Sequence, residues 1–179
     1  MRGCSTNEVK KGEISKMFLR LRFDVCALSE TKLKGKGEVM FGEVVGRVSG
    51  VARGRAREGV ALLLSVWLMR CVVEWKEVLS RLMWARVKIE RQRERERESW
   101  VFIMAYGPGS EKSEEEIEEF WNELSEYVGS FGRNESVIVL GDSNDRVGNE
   151  VIEEMLVGME CQEEMKVVND YWRCVQSRS

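Results

Sequence analysis

The amino-acid sequence predicts an α/β fold, a layered sandwich built around a mixed β-sheet. Three observations lead to this fold class. Apolar runs of strand length alternate with amphipathic helical segments, several strands follow one another directly as hairpins do, and one long helix separates two strands. Sheets of this kind commonly present their functional groups at strand ends, so strand-end residues are the first candidates for a site.

The bulk composition is that of a globular chain. Its 179 residues fit a single domain that buries roughly two-thirds of its unfolded surface. Hydrophobic residues make up 43% of the chain, which argues against disorder, and the net charge of −3 gives no global basic field. A local basic patch remains compatible with these numbers.

The first quarter of the chain predicts a helix, a strand and a glycine-rich segment. Ile14, Phe18 and Leu21 recur at helical spacing and indicate a short amphipathic helix over 7–21. The stretch FDVCALSETKL then alternates like a buried strand, with Glu30 near its end. Residues 35–59 hold seven glycines, which is typical of a loop or short hairpin. Two interpretations are open for the four arginines of this segment: they contact nucleic-acid phosphates, or they belong to a solvated loop. The arginines are Arg47, Arg53, Arg55 and Arg57.

The middle of the chain predicts strands. GVALLLSVW begins one, and 66–90 reads either as a helix by length or as two strands with a turn near Trp75–Glu77. The β-branched and aromatic content favours the strands. RQRERERES is low-complexity sequence of mixed charge and predicts a solvated hairpin tip before the strand WVFIMAYGP.

The clearest helix follows. Apolar residues fall on one face of SEKSEEEIEEFWNELSEYVGSFG. Ser113 and Glu116 have capping-box spacing, and Gly129 or Gly132 is expected to end the helix. The strand SVIVLGDSN comes next, then a segment of helical pattern within 150–168 and a short tail.

Polar groups at three strand ends are the candidate site: Glu30, Tyr106, and the pair Asp142 and Asn144. A hard cation such as Mg²⁺ needs only one or two carboxylates beside water and phosphate oxygens. Glu30 is a candidate metal ligand, Asp142 a candidate for activating water, and Asn144 and Tyr106 candidate donors to phosphate. Strand-end Asp and Asn are also ordinary turn residues, and Tyr106 could simply be an aromatic residue before Pro108.

A calcium-binding loop starting at Asp142 is excluded by the sequence. Asn144 and Glu153 fit its third and twelfth positions. The fifth position is Arg146, a cation, and the sixth is Val147 in place of the glycine that the turn requires.

Other absences bound the function. The chain contains no histidine, so these residues alone cannot supply an imidazole acid, base or metal ligand. Five cysteines without a CxxC pair favour a reducing setting. The longest apolar run is too short to span a membrane, and the N-terminal segment lacks the apolar core of a signal peptide. We therefore expect an intracellular protein, nuclear or cytoplasmic, with no membrane partner and no small-molecule cofactor.

Four separated motifs resemble the endonuclease/exonuclease/phosphatase superfamily. They are FDVCALSETKLKGKGE, EGVALLL, WVFIMAYGPGSEKSEEEIEEFWNEL and VIVLGDSNDRVGN, in this order and spacing. More narrowly, they resemble the endonucleases of non-LTR retrotransposons and the retrotransposon-derived craniofacial development protein 2-like group. The likeness covers roughly residues 7–150. Residues 151–179 resemble a later, degenerate part of the domain, so that 1–179 is expected to be one partial domain.

The resemblance implies a DNase I-like four-layer α/β sandwich that cleaves phosphodiester bonds of DNA with Mg²⁺ or Mn²⁺. Glu30 matches the metal-binding Glu of the ET motif of the family. Tyr106 matches the tyrosine that contacts the scissile phosphate. Asp142 and Asn144 match the GDxN pair of the family. In that pair the Asp activates water or positions the phosphate, and the Asn orients the phosphate.

The family pattern also contains groups that this sequence does not match. Family members open with a strand bearing an Asn and end with a Ser-Asp-His motif, whereas this sequence runs from Met1 to Ser179 without a histidine. The expected fold is therefore an incomplete sandwich, with little or no nuclease activity because an essential member of the site is missing. Two hypotheses stay open: an Mg²⁺-dependent endonuclease-like domain, and a degenerate fragment that at most binds a partner.

Overall fold

A computed structural model of the chain describes residues 6–53, 58–90 and 97–144. All of them belong to one compact unit, Met1–Asp145. In chain order the elements are α1 (Thr6–Arg20), β1 (Val25–Leu28), β2 (Lys36–Phe41), β3 (Val44–Gly50), β4 (Gly59–Leu64), α2 (Val66–Arg70), β5 (Val72–Leu79), β6 (Leu82–Glu90), β7 (Arg97–Tyr106), α3 (Glu114–Ser130) and β8 (Glu135–Asp142).

Some predictions fall outside the described residues. These are the helical pattern within 150–168, the degenerate segment 151–179, Arg55 and Arg57, and most of the charged hairpin tip. The assignment of 1–179 to one partial domain stays a prediction. Within the described residues, no helix is both long and apolar enough to cross a membrane.

The strands form two sheets. The first sheet has the order β1-β4-β3-β2 and is antiparallel throughout. The second has the order β5-β6-β7-β8, in which β7 and β8 are parallel and joined by α3. A parallel pair needs such a crossover, whereas the antiparallel pairs need only short turns. The predicted mixed sheet is confirmed in the second sheet.

The core lies in layers. Phe18 of α1 packs with Phe41 and Val44 on the first sheet, and Phe120 and Leu124 of α3 pack on the second. In β4, all residues from 60 to 64 are at most 2% exposed. A strand buried on both faces must have packed layers on either side, which gives the order helix, sheet, sheet, helix.

The periodic elements match the sequence predictions, and three details differ. Residues 66–70, which were expected to form strand, form the short helix α2. Residues 36–50 form the well-paired hairpin of β2 and β3, where the glycines of 35–59 predicted a loop or short hairpin. The turn predicted near Trp75–Glu77 is wrong: these residues lie inside β5, and the chain turns at Ser80 and Arg81. β5 lies at the edge of its described sheet, where half-exposed polar residues are tolerated and therefore imitate a turn.

The start of α3 confirms the predicted capping box. The Ser113 hydroxyl accepts a hydrogen bond from the Glu116 backbone N–H at 3.2 Å, and the Glu116 carboxylate accepts one from the Ser113 N–H at 3.3 Å. Three glutamates in the first turn also stabilise the start of the helix, because their negative charge lies at the positive end of the helix dipole. The helix ends at Ser130, so Gly129 lies within it and does not end it.

Polar side chains of the first sheet tie the two sheets together. Lys36 donates to the Glu77 carbonyl at 2.5 Å, and Ser49, which is fully buried, donates to the Leu79 carbonyl at 2.5 Å. The Arg47 guanidinium adds an ion pair with the Glu77 carboxylate at 3.2 Å. These contacts satisfy backbone acceptors of β5 and help to fix how the sheets are placed against each other.

Candidate active site

The ends of β7 and β8 bring two predicted site residues side by side. Tyr106 and Asp142 are register partners in the parallel pair, at the carboxyl end of both strands. The next residue, Gly107, donates its backbone N–H to the Asp142 carbonyl at 2.7 Å. The parallel arrangement places both strand ends at one edge of the second sheet, as the strand-end hypothesis requires.

Glu30 reaches the same place from the first sheet. It follows β1, and β1 approaches β8 across the sandwich. The Tyr106 hydroxyl donates a hydrogen bond of 2.8 Å to Oε1 of Glu30. Glu30 has a left-handed backbone with φ of 50°, a conformation that costs free energy in a non-glycine residue and often occurs at functional sites.

Asn144 is held by two hydrogen bonds. Its backbone N–H donates to Oδ1 of Asp142 at 2.9 Å, and its side-chain Nδ2 donates to the Gly107 carbonyl at 2.7 Å. The first hydrogen bond closes an Asx-turn, so Asp142 is a turn residue, as one of the two interpretations of the sequence predicted. The same turn sets the Asn144 side chain against the end of β7. A turn and a functional arrangement are therefore compatible here.

Two glycines allow the close approach of β7 and β8. A Cβ on Gly107 would lie 2.1 Å from the Ser143 carbonyl oxygen. A Cβ on Gly141 would lie 1.7 Å from the Ala105 carbonyl oxygen, and Gly141 has φ of 144°. No larger residue fits either position without moving the backbone. The glycine of the GDSN motif thus has a steric role in placing Asp142.

Arg81 and Glu58 lie behind this site and were not predicted from the sequence. Arg81 is 9% exposed, and its Nη2 donates to Oε1 of Glu58 at 2.5 Å. Its Nη1 donates to the Gly107 carbonyl at 2.7 Å, and its guanidinium lies 5.1 Å from the centre of the Tyr106 ring. The hydrogen bond from Arg81 lowers the pKa of Glu58 despite partial burial. Burial disfavours the charge of Arg81, but Glu58 more than compensates and raises the pKa of Arg81.

The environment of Tyr106 keeps its hydroxyl protonated. Burial raises the pKa of this phenol, and the adjacent Glu30 carboxylate raises it as well, whereas Asn144 and Arg81 act in the opposite direction. The net shift is upward, so Tyr106 is a neutral donor at physiological pH. A phenol that stays protonated can donate to a carboxylate or a phosphate oxygen but cannot act as a base.

A cleft of about 510 Å³ opens beside Glu30, between α1 and the segment after β1. Its base is apolar and includes Ile14, Leu28 and Phe41. Its lining also carries three lysines: Lys10, Lys11 and Lys32. Lys11 is paired with Glu8 at 3.1 Å, whereas Lys10 and Lys32 are exposed cations. The cleft therefore adds local positive charge next to the Glu30 carboxylate, although the chain as a whole is acidic.

The site has oxygen donors suited to a hard cation. The exposed Glu30 carboxylate uses Oε1 to accept from Tyr106, and its second oxygen would be the atom that binds a metal. Among residues 6–53, 58–90 and 97–144, no group of three or more His, Cys, Asp or Glu is close enough to enclose an ion. Mg²⁺ is often held by one or two carboxylates with waters and phosphate, so this donor set fits it.

The layers and topology described above define a DNase I-like α/β sandwich. Among solved structures, the catalytic domain of Xenopus laevis APE2 has this fold and superposes with a TM-score of 0.51. The sequences are 16% identical over the match, which covers 78% of this chain and 56% of that domain. The chain thus spans little more than half of its structural neighbour, and at this identity the likeness concerns the fold. No protein family profile and no curated protein sequence matches the chain.

Proposed function

We propose that this chain carries a phosphodiesterase site of the DNA endonuclease type, made by Glu30, Tyr106, Asp142 and Asn144. The observation that carries the proposal is the hydrogen bond of 2.8 Å between Tyr106 and Glu30. Glu30 follows a strand of one sheet and Tyr106 ends a strand of the other. A carboxylate, a phenol, a second carboxylate and an amide therefore gather at one edge of the sandwich, which favours phosphate chemistry over an ordinary turn.

Each residue has a role that its surroundings support. Glu30 would hold a divalent cation, Mg²⁺ or Mn²⁺, which supplies charge stabilisation for the phosphate when bound. Tyr106 orients the Glu30 carboxylate through its hydroxyl and remains a neutral donor. The Asn144 amide donates to the Gly107 carbonyl and lies beside the Tyr106 hydroxyl, where it can donate to a phosphate oxygen bound at the site. Asp142 retains a carboxylate oxygen for positioning or activating water.

The finer assignment follows the sequence motifs. Their likeness to non-LTR retrotransposon endonucleases and to craniofacial development protein 2-like proteins supports DNA as the substrate and a retrotransposon origin. The proposal takes residues 7–150 as the part of the chain that carries the domain. Lys10 and Lys32, in the cleft beside Glu30, support nucleic acid as a partner because phosphate contacts need local cations.

The proposed site is strongly impaired in these 179 residues alone. The chain contains no histidine, and Asp142 has one oxygen already engaged by the Asn144 N–H. Without an imidazole to share proton transfer, we expect a loss of about 100-fold or more in rate. These observations favour one alternative, a degenerate fragment that binds DNA or another partner without cleaving it.

Plasmid nicking with Mg²⁺ and added imidazole separates the two functions. If the remaining groups are competent, free imidazole should increase nicking, and both Asp142→Ala and Glu30→Gln should abolish the increase. Glu126→Gln, an exposed carboxylate on α3, is the matched control and should nick like the parent chain. Folded protein that shows no nicking with or without imidazole would contradict the enzyme proposal.

Metal binding is measured separately. Mn²⁺ titrated into the protein and followed by electron paramagnetic resonance should show a bound ion that Glu30→Gln removes and Glu126→Gln leaves in place. Equal binding by the parent chain and Glu30→Gln would exclude Glu30 as the metal ligand. This measurement does not depend on cleavage, so it also applies to a chain that only binds DNA.

A further inference from the structure

The carbonyl oxygen of Gly107 accepts two side-chain hydrogen bonds. Nη1 of Arg81 donates from the buried side, and Nδ2 of Asn144 donates from the site, each at 2.7 Å. The Gly107 N–H in turn donates to the Asp142 carbonyl at 2.7 Å. Both polar groups at Gly107 are therefore bonded to the surrounding chain, and the orientation of the carbonyl decides where the Asn144 amide can lie.

Arg81 is placed so that it cannot contact a substrate directly. It is 9% exposed, one terminal nitrogen is bonded to Gly107 and the other to Glu58 at 2.5 Å. Its own backbone carbonyl accepts from the Tyr106 N–H at 2.9 Å. Both its backbone and its side chain thus engage the segment Tyr106–Gly107. Glu58 is also 3.8 Å from the Lys112 ammonium, which extends the network to the segment before α3.

The geometry points to Arg81 as a positioning residue, which we propose acts through the Gly107 carbonyl to orient the Asn144 carboxamide toward a phosphate group. A guanidinium suits this task because its rigid fork reaches the Gly107 carbonyl and the Glu58 carboxylate at once. A lysine at this position offers a single ammonium in place of the fork. The inference rests on the proposed function and adds a residue that the sequence motifs did not indicate.

Kinetics of a four-member cycle test the proposal: the parent chain, Arg81→Lys, Asn144→Ala and the double variant. Nicking is measured with Mg²⁺ and imidazole. We expect Arg81→Lys to lower kcat by about 10- to 100-fold with little change in KM, because a displaced orienting group weakens the transition state more than ground-state binding. In the Asn144→Ala background the same change should lower kcat by less than about twofold. Independent, multiplicative losses would overturn the proposal, since a merely structural effect of Arg81 would persist without Asn144.

A spectroscopic measurement keeps the inference testable if the chain does not cleave DNA. The side-chain NH₂ of Asn144, identified by its loss in Asn144→Ala, should have one proton shifted downfield because that proton is hydrogen-bonded to the Gly107 carbonyl. In Arg81→Lys the separation between the two Asn144 resonances should decrease. The resonance of the Trp67 indole N–H, which is bonded to Asp24 at 2.5 Å in another part of the unit, should not shift. Absence of nicking with these shifts present would contradict the proposed function alone. Unchanged Asn144 resonances in folded Arg81→Lys would overturn the role of Arg81.

Discussion

A hydrogen bond of 2.8 Å joins Glu30 and Tyr106 across the two sheets. Glu30 follows β1 of the first sheet, and Tyr106 is the last residue of β7 in the second. Neither residue could make this contact within its own sheet. The candidate site therefore forms only when the two sheets pack together. Substitutions that disturb this packing near the site should lower stability and also displace the site residues.

The ionisation of Tyr106 predicts a loss of stability at alkaline pH. Because its folded pKa is raised, chiefly by burial, the protonated phenol stabilises the folded state relative to the unfolded chain. This contribution is complete below the unfolded value of about 10 and is lost as the pH rises through the higher folded value. Urea unfolding of Tyr106→Phe should therefore show a shallower alkaline decline than the parent chain. Parallel curves above pH 10 would contradict the shift.

The ion pair of Glu58 with Arg81 predicts a loss of stability in acid. The pKa of Glu58 is lowered, mainly by the hydrogen bond from Arg81, so its contribution is present above the unfolded value of 4.5. The contribution disappears as the pH falls through the lower folded value. Glu58→Gln should be less stable than the parent at neutral pH, and the difference should shrink as acid is added. Glu126→Gln, which removes an exposed carboxylate of α3, is the control for the loss of one negative charge. A constant difference for Glu58→Gln would show that the carboxylate charge is not the cause.

Gly141 predicts a large steric penalty. An added Cβ would meet the Ala105 carbonyl oxygen at 1.7 Å, at a backbone φ of 144°. Gly141→Ala should lower the free energy of unfolding by about 2 kcal/mol or more. The matched control is Gly129→Ala on α3, where nothing lies within 4 Å, and which should stabilise by about 0.5–1 kcal/mol. Thermal unfolding measures both, and similar melting temperatures for the two variants would contradict the clash.

The capping box of α3 predicts a smaller effect. Ser113→Ala removes the acceptor for the Glu116 N–H, so it should destabilise the protein by about 1 kcal/mol. Ser125→Ala, at an exposed position in the same helix, should be neutral or slightly stabilising because alanine is the better helix former. Urea titration followed by circular dichroism compares the two. Equal midpoints would show that the cap does not contribute.

The lysines of the cleft predict salt-dependent DNA binding. If Lys10 and Lys32 each contact a phosphate, replacing both with Gln should reduce the slope of log K against log salt by about 2. Lys88→Gln, an exposed lysine of β6 in the other sheet, should leave the slope unchanged. Fluorescence anisotropy with a labelled duplex at several salt concentrations measures each slope. An unchanged slope in the double variant would exclude the cleft as a DNA-binding surface.

The sequence predicted those elements whose periodicity is local. The apolar stripe of α3 and its capping box, the buried run of β4 and the strand before Asp142 each depend on neighbouring residues, and each is present. The turn near Trp75–Glu77 was placed wrongly because β5 carries polar residues whose partners lie in the other sheet. The Glu77 carboxylate, for example, forms an ion pair with Arg47 of β3 at 3.2 Å. A pattern read along one segment contains no record of such contacts.

The same reason separates the predicted site residues from the missed ones. Glu30, Tyr106, Asp142 and Asn144 lie at strand ends, which the sequence locates, and the structure brings Tyr106 into contact with Glu30 and Asn144 close to both strands. Arg81 lies in the turn between β5 and β6, where a surface arginine is expected, and its partner Glu58 is 23 residues away. Only the fold shows that this guanidinium is buried. Burial of a charged residue was the signal, and burial is not visible at a single polar position in the sequence.

The hydrogen bond between Tyr106 and Glu30 also has a consequence for the order of folding. It closes a span of 76 residues, and the parallel pairing of β7 with β8 waits for α3 to cross between them. Closing a long span costs more chain entropy than closing a hairpin, so we expect this contact to form after the hairpins. We therefore expect a chain during synthesis to form its hairpins before the carboxylate and the phenol come together.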